Sequence, residues 1–324
     1  MRRALLIVLL LSVPTTLLAT GCGDDGADVR AIGTDASGSG SSASGAGSGS
    51  GLSLDDTQTG ASDNALVQEA VEEYTRYVAA QADELILKTR VFTDAVRAGR
   101  LDAARAAYAP SREPWERIEP IAGLIGATDG VVDSRIDDFA GPGDTEFTGW
   151  HRLEYILWEK DTTAGAAPFA TRLDGDLATL RSGLADLEIP PAAMALGAAE
   201  LIEEVSNGKI TGEEDRYSKT DLWDFAANVE GAHEIIELLE PALEKADPDL
   251  LARIEAGFAD LEAELAPLRK GDGFVLFCQE DDAFPSPALC PKVTVTPARI
   301  DRMKGRLAGL SEDLALVPGA LGLS

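Results

Sequence analysis

His151 and Glu154 are the residues in this sequence whose types and spacing point most directly to chemistry, and that chemistry is the holding of a metal ion. The chain has only two histidines, and this one stands three residues ahead of a glutamate. Residues three apart on a helix share a face. An imidazole nitrogen and a carboxylate oxygen can then meet one cation. The competing reading of such a pair is a solvated surface couple or a capped core histidine. Two features favour metal. Phe147, Trp150, Tyr155 and Trp158 stand around the pair, so its face is expected to be buried, and a buried charged pair needs a partner. Acidic residues also abound in nearby helices: Asp133, Asp137, Asp176, Glu203, Glu204, Glu213 and Glu214. One histidine with several carboxylates suits a borderline-hard cation such as iron or zinc. Spacing does not say which carboxylates converge. Asp176 and Glu214 are the expected helpers, with Asp137 behind them.

A hydrolytic site would need more. The inverted zinc-protease motif is HxxEH, but Tyr155 follows Glu154 here. His233 could supply the second imidazole only if the fold brings it near. There is no GxSxG motif, and no free cysteine is placed as a nucleophile. The chain is therefore expected not to be an enzyme.

The elements that must position the pair read as helices. Apolar residues recur at helical spacing from Ala65 to Ala98, and Gly99 is a plausible stop. Asp102 to Tyr108 opens a second stretch, which Pro110 and Pro114 punctuate, and Trp115 to Leu124 continues it. One helix is expected from about Thr145 to Lys160, through the His–Glu pair. Further helices are expected from Pro168 to Leu187, Pro191 to Ser206, Asp221 to Leu239, Pro248 to Leu268 and Pro297 to Leu314. Thr220 or Asp221 is a fitting N-cap, with Trp223 and Phe225 as core anchors. Strand signals are confined to Phe274–Phe277 and Val293–Val295. The fold class is all-α, an antiparallel helical bundle. Gly149-Trp150-His151 with Glu154 is echoed by Gly231-Ala232-His233 with Glu237, each read as opening a helix. The echo suggests two fused four-helix-type bundles made by duplication.

The N-terminus is read as export machinery. Met1-Arg2-Arg3, an apolar run to Leu18 and Ala19-Thr20-Gly21 before Cys22 make a secretory signal peptide over 1–21. The small residues before Cys22 resemble the lipobox of bacterial lipoproteins. That resemblance implies a lipid on Cys22, the bilayer as a partner, and a place outside the cytoplasm at the cell surface or in the periplasm. Residues 22–62 are rich in Gly and Ser and read as a flexible tether. Residues 63–324 are left for the helical domain. Cys278 and Cys290 suit a disulfide in an oxidising compartment, stabilising by ~3 kcal/mol. The net charge of −28, from 56 acidic and 28 basic residues, argues against nucleic acid and attracts cations.

Phe147-Thr148-Gly149-Trp150-His151-Arg152-Leu153-Glu154 resembles the GxHxxE motif of imelysin-type (M75 peptidase-like) domains. Lys209 to Gly231 is similar to the corresponding segment of the EfeO/EfeM iron-uptake group, as is Tyr108 to Glu119. The resemblance spans roughly Asn64 to Leu268. It implies an all-helical double bundle, a metal site at His151 and Glu154, and a part in bacterial iron uptake beside a membrane iron permease and a haem peroxidase. The cargo would be ferrous or ferric iron, with zinc or another divalent cation as alternatives. The region where the EfeO form carries a cupredoxin-like domain reads here as tether, so the likeness is to the short EfeM form. Lys219 stands where the family pattern leads one to expect His. A reading of a different class is a helical adaptor that docks a membrane partner and holds no functional metal. A metallopeptidase is the weaker alternative.

Overall fold

The computed structural model describes residues 62–125 and 129–323. The signal peptide, Cys22 and nearly all of the tether read from the sequence lie outside the described residues. Among the described residues, no helix is long and apolar enough to cross a membrane.

Helix α1 (Ala65–Arg97) starts where the Asn64 side chain accepts from the Leu66 amide at 3.1 Å. It buries Val67, Ala70, Tyr74, Val78, Ala82, Leu85, Thr89, Phe92 and Val96, one stripe at spacings of three and four. Gly99, at φ +70°, ends it in the left-handed region. Helix α2 (Leu101–Ile118) runs unbroken through Pro110 and Pro114, where the sequence suggested interruption. Each proline forfeits one backbone hydrogen bond, at ~3 kcal/mol. Burial of Tyr108, Arg112, Trp115 and Ile118 on one face carries the helix across both.

Short helices α3 (Ala122–Ile125) and α4 (Asp129–Val132) lead to α5 (Gly149–Glu154). The expected single helix from Thr145 to Lys160 is instead six residues of α-helix followed by a π-helical turn, Tyr155–Glu159. Then come α6 (Ala167–Ala185), α7 (Pro191–Asn207), α8 (Asp221–Ala246), α9 (Pro248–Leu265), α10 (Pro297–Leu314) and α11 (Val317–Leu321). The sheet is a ribbon of β1 (Arg269–Lys270) and β2 (Gly273–Phe274). Of the two strand segments read from sequence, only Phe274 joins it. Residues 293–295 wrap the cysteine instead, with the Thr294 and Val295 amides donating to the Cys278 carbonyl at 2.9 and 3.1 Å.

The fold is all-α, as expected, in two groups of four: α1, α2, α5 and α6, then α7, α8, α9 and α10. Helix α8 also lies along α1 and α2, which merges the groups into one unit. The two Gly-x-His segments do not sit alike. Gly149 opens α5 at φ +76°, whereas Gly231 lies in the middle of α8. A Cβ on Gly231 would stand 2.2 Å from the Arg117 carbonyl oxygen, so this glycine sets how closely α8 approaches α2. That approach brings Asn228 of α8 to donate to the Glu116 carbonyl at 3.0 Å.

Replacing Gly231 by Ala is expected to destabilise the protein by about 1–3 kcal/mol through overpacking. Gly175→Ala on α6, where nothing lies within 4 Å of the added carbon, is expected to stabilise it by up to about 1 kcal/mol. Denaturant melts of the two variants beside the parent check the contrast.

Candidate metal centre

Tyr108, Arg112 and Glu116 stand four apart on the buried face of α2, so one helix presents a hydroxyl, a cation and an anion to the interior. Asp133 follows α4, and α5 brings His151 and Glu154. A 3-10 turn, Lys209–Thr211, leads through Glu214 and Asp215 into α8, which adds Asp221, Asp224 and Asn228. Thr220 is the N-cap residue of α8, one of the two candidates, but its hydroxyl makes no capping bond and donates to Asp215. Phe225 is a core residue as expected, while Trp223 is half-buried against Phe274.

Arg112 has no solvent exposure. Its guanidinium donates to Asp133, to Glu116 at 2.5 Å, to Glu214 at 3.0 Å and to Asp224 at 3.1 Å. It also lies over the Trp150 ring, 5.6 Å from the centroid. Lys209, also buried, donates to Glu116 at 3.1 Å and to Glu119 at 2.7 Å. Arg135 reaches Glu214 at 3.1 Å from the rim. These cations face the carboxylates of Glu116, Glu119, Asp133, Glu214, Asp215 and Asp224, and those of Glu154 and Asp221 are buried close by. Negative charge is in excess in a region nearly closed to water, where charge is expensive.

The excess appears as displaced titrations. Burial drives Glu116, Asp221 and Asp224 well above the usual carboxylate range, and Glu119 to about 7. Asp133 and Glu214 lie below that range despite burial, held down by Arg112 and Lys209 respectively and by His151. Burial and the Arg112 charge oppose protonation of His151. Its contacts with the carboxylates of Asp133, Glu154 and Glu214, at 3.4–3.5 Å, outweigh them and hold the imidazole well above its ordinary value. Metal-free, His151 is the imidazolium that partly balances the cluster.

The two ring nitrogens face different company. Nε2 lies 3.4 Å from Asp133 and 3.5 Å from Glu214, but also 3.4 Å from Arg112 Nη1. A metal ion there would meet the guanidinium. Nδ1 lies 3.5 Å from Glu154 Oε2 and 3.5 Å from the Tyr108 hydroxyl, which donates to Asp215 Oδ1 at 2.8 Å. Glu154 is held by its other oxygen, Oε1, which accepts from the amides of Tyr217 and Ser218 and from the Ser218 hydroxyl at 2.7–2.9 Å. Oε2 is buried with no hydrogen-bond partner. His151, Glu154 and Asp215 each offer a donor atom within 4.8 Å of the others. Donors bound at about 2.1 Å to a tetrahedral ion stand about 3.4 Å apart, close to the Nδ1–Oε2 separation. The Nδ1 side therefore fits a cation.

Of the carboxylates expected from sequence, Glu214 does join a group whose donor atoms lie within 4.8 Å of one another, with His151 and Asp133, but on the Nε2 side, within the Arg112 network. Asp137 is exposed and pairs with Arg216. Asp176 is on α6 beside Arg172 at 3.5 Å, and neither aspartate belongs to a metal-competent group. His233 stacks on Phe258 and meets Glu255 at 3.1 Å, so it does not complete an HxxEH motif. Sequence reasoning missed Asp215, Arg112 and Tyr108. The signal for the latter two was a run of polar side chains on the same face of α2 as Trp115.

Comparison with known proteins agrees with this architecture. Residues 70–292 match the model of the imelysin family, peptidase family M75. The iron uptake system component EfeO of Escherichia coli (strain K12) is 44% identical over 255 residues, covering 78% of this chain and 64% of the relative. The proteins of the same name from Shigella flexneri and Shigella sonnei (strain Ss046) match equally. The chain thus spans somewhat less than two thirds of the length of these relatives. With the family match covering most of the chain and placing the His–Glu pair of α5 inside it, the protein belongs to the imelysin family.

Proposed function

We propose that this protein is an extracytoplasmic iron-binding component of an uptake system, anchored to the membrane through a lipid on Cys22. It takes up a cation at His151 and Glu154 and passes it to a membrane permease that works with a haem peroxidase. The observation that carries the reading is the buried Oε2 of Glu154, which makes no hydrogen bond and stands 3.5 Å from His151 Nδ1 with Asp215 close by. The kinship with proteins named as iron uptake components supports iron as the cargo. Nothing in the site supplies the second imidazole of a zinc protease, which supports a binder over a peptidase.

The chemistry follows from the charges. A divalent cation on the Nδ1 side must displace the proton of His151, and the surrounding carboxylates then neutralise the metal as they had the imidazolium. One nitrogen and a few oxygens leave coordination positions for water, which suits release better than storage. The acidic surface, at a net charge of −28, concentrates cations around the domain.

Calorimetric titration of the chain with ferrous, ferric and zinc ions should give one tight site. His151→Ala, Glu154→Gln and Asp215→Asn are each expected to weaken it by more than the ~100-fold that loss of an outer partner costs. Asp176→Asn should leave it unchanged. Tight binding that survives His151→Ala with Glu154→Gln would instead favour the adaptor reading.

The pH dependence has a definite sign. Between roughly pH 5 and pH 7 the folded, metal-free protein holds protons on His151 and Glu119 that the unfolded chain has begun to lose. The folded state binds more protons, so stability falls as pH rises, by about 1.4 kcal/mol per pH unit for each whole excess proton. Urea melts in the presence of chelator should show this fall, and Glu119→Gln should make it shallower. Cation affinity should rise over the same range.

A further inference from the structure

The loop closed by the Cys278–Cys290 disulfide, besides its backbone bonds to residues 294–295, packs against the segment 211–220. The Phe277 amide, one residue before the bridge, donates to the Lys219 carbonyl at 2.8 Å. Gln279 donates to the Thr211 carbonyl. The Lys219 ammonium, with no solvent exposure, meets Asp282 at 2.8 Å, and Asp282 is itself nearly buried. The Arg216 guanidinium lies over the Phe284 ring, 4.1 Å from its centroid.

The braced segment supplies Asp215 and Glu214, and it supplies the Tyr217 and Ser218 groups that hold Glu154. Lys219 adopts φ +62°, a conformation that costs a side-chain-bearing residue about 1 kcal/mol or more and persists only where its surroundings over-determine it. Here a backbone bond from its amide to the Asp215 carbonyl at 2.7 Å, the bond to its own carbonyl and the buried ion pair do so. An unpaired ammonium at that depth would be strongly unfavourable.

We propose that the disulfide loop is a strut for the cation site, acting through Lys219 and Asp282 as positioning residues. The bridge limits the freedom of the loop, the loop presents Asp282, and Asp282 fixes Lys219 in the conformation that aims Asp215 and the Glu154-holding amides at His151. This rests on the cation-binding reading above, but the bracing is measurable without any cation.

The test compares the parent chain with Asp282→Asn, Asp282→Glu and Cys278→Ser/Cys290→Ser, by amide hydrogen exchange and by zinc titration. In Asp282→Asn and in the double serine variant, exchange over 213–220 is expected to accelerate ~10-fold or more while α9 and α10 keep their protection. Zinc affinity should fall by ~10-fold or more in both, and Asp282→Glu should restore much of it. Unchanged exchange over 213–220 would overturn the proposal, as would faster exchange with unchanged zinc affinity. Loss of protection throughout the molecule would also overturn it, since the loop would then serve the fold at large. Absence of zinc binding by the parent would count against the functional reading alone, with the exchange result still deciding the strut.

Discussion

The guanidinium of Arg112, shut away from solvent, binds carboxylates from α2, from the turn after α4, from the approach to α8 and from α8 itself. Removing a permanent cation from water is costly, and several anions must surround it to compensate. Once they are assembled, the anions require more positive charge than Arg112 provides. Lys209 supplies part of it at the Glu116–Glu119 side. The rest is met by protons, on carboxyls such as Glu116 and Asp224 that burial keeps well above the usual range, and on His151, which the cluster holds protonated. On the proposed reading, the metal would bind where a proton already sits on His151.

Arg112 also decides which side of the imidazole stays open. Its presence at Nε2 makes that side an internal ion-pair network, complete in itself. At Nδ1 the neighbours are a neutral phenol and two carboxylates, one with a buried oxygen that has no closer hydrogen-bond partner than the imidazole itself, 3.5 Å away. The π-helical turn after Glu154 belongs to the same arrangement. It begins at Tyr155, ending the short α5 as soon as the His–Glu pair has been presented on one face.

Much of the fold is legible in the sequence because helical periodicity is a local property. The bounds of α1, α7 and α10 follow from apolar spacing with glycine and proline stops. The uninterrupted α2 was hidden because the burial that carries it past two prolines is tertiary. The π turn was hidden because no local residue marks it. In the site, His151 and Glu154 were visible as neighbours on one helical turn. Asp215 and Arg112 were not, since they meet His151 from segments far apart in sequence. Asp176 looked equally eligible until its place on α6 put it beside Arg172. Acidic residues are so common in this chain that only the fold distinguishes a ligand from a solvated charge.

The central claim is that the Nδ1 side of His151 is where the cation binds. Anomalous diffraction from a zinc-loaded crystal tests it most directly. Binding at Nδ1 would give one strong peak about 2.0–2.2 Å from His151 Nδ1 and from oxygens of Glu154 and Asp215, with Arg112 still bound to Asp133. A peak at Nε2 between Asp133 and Glu214, or a fully occupied site that leaves His151 without a metal bond, would contradict it.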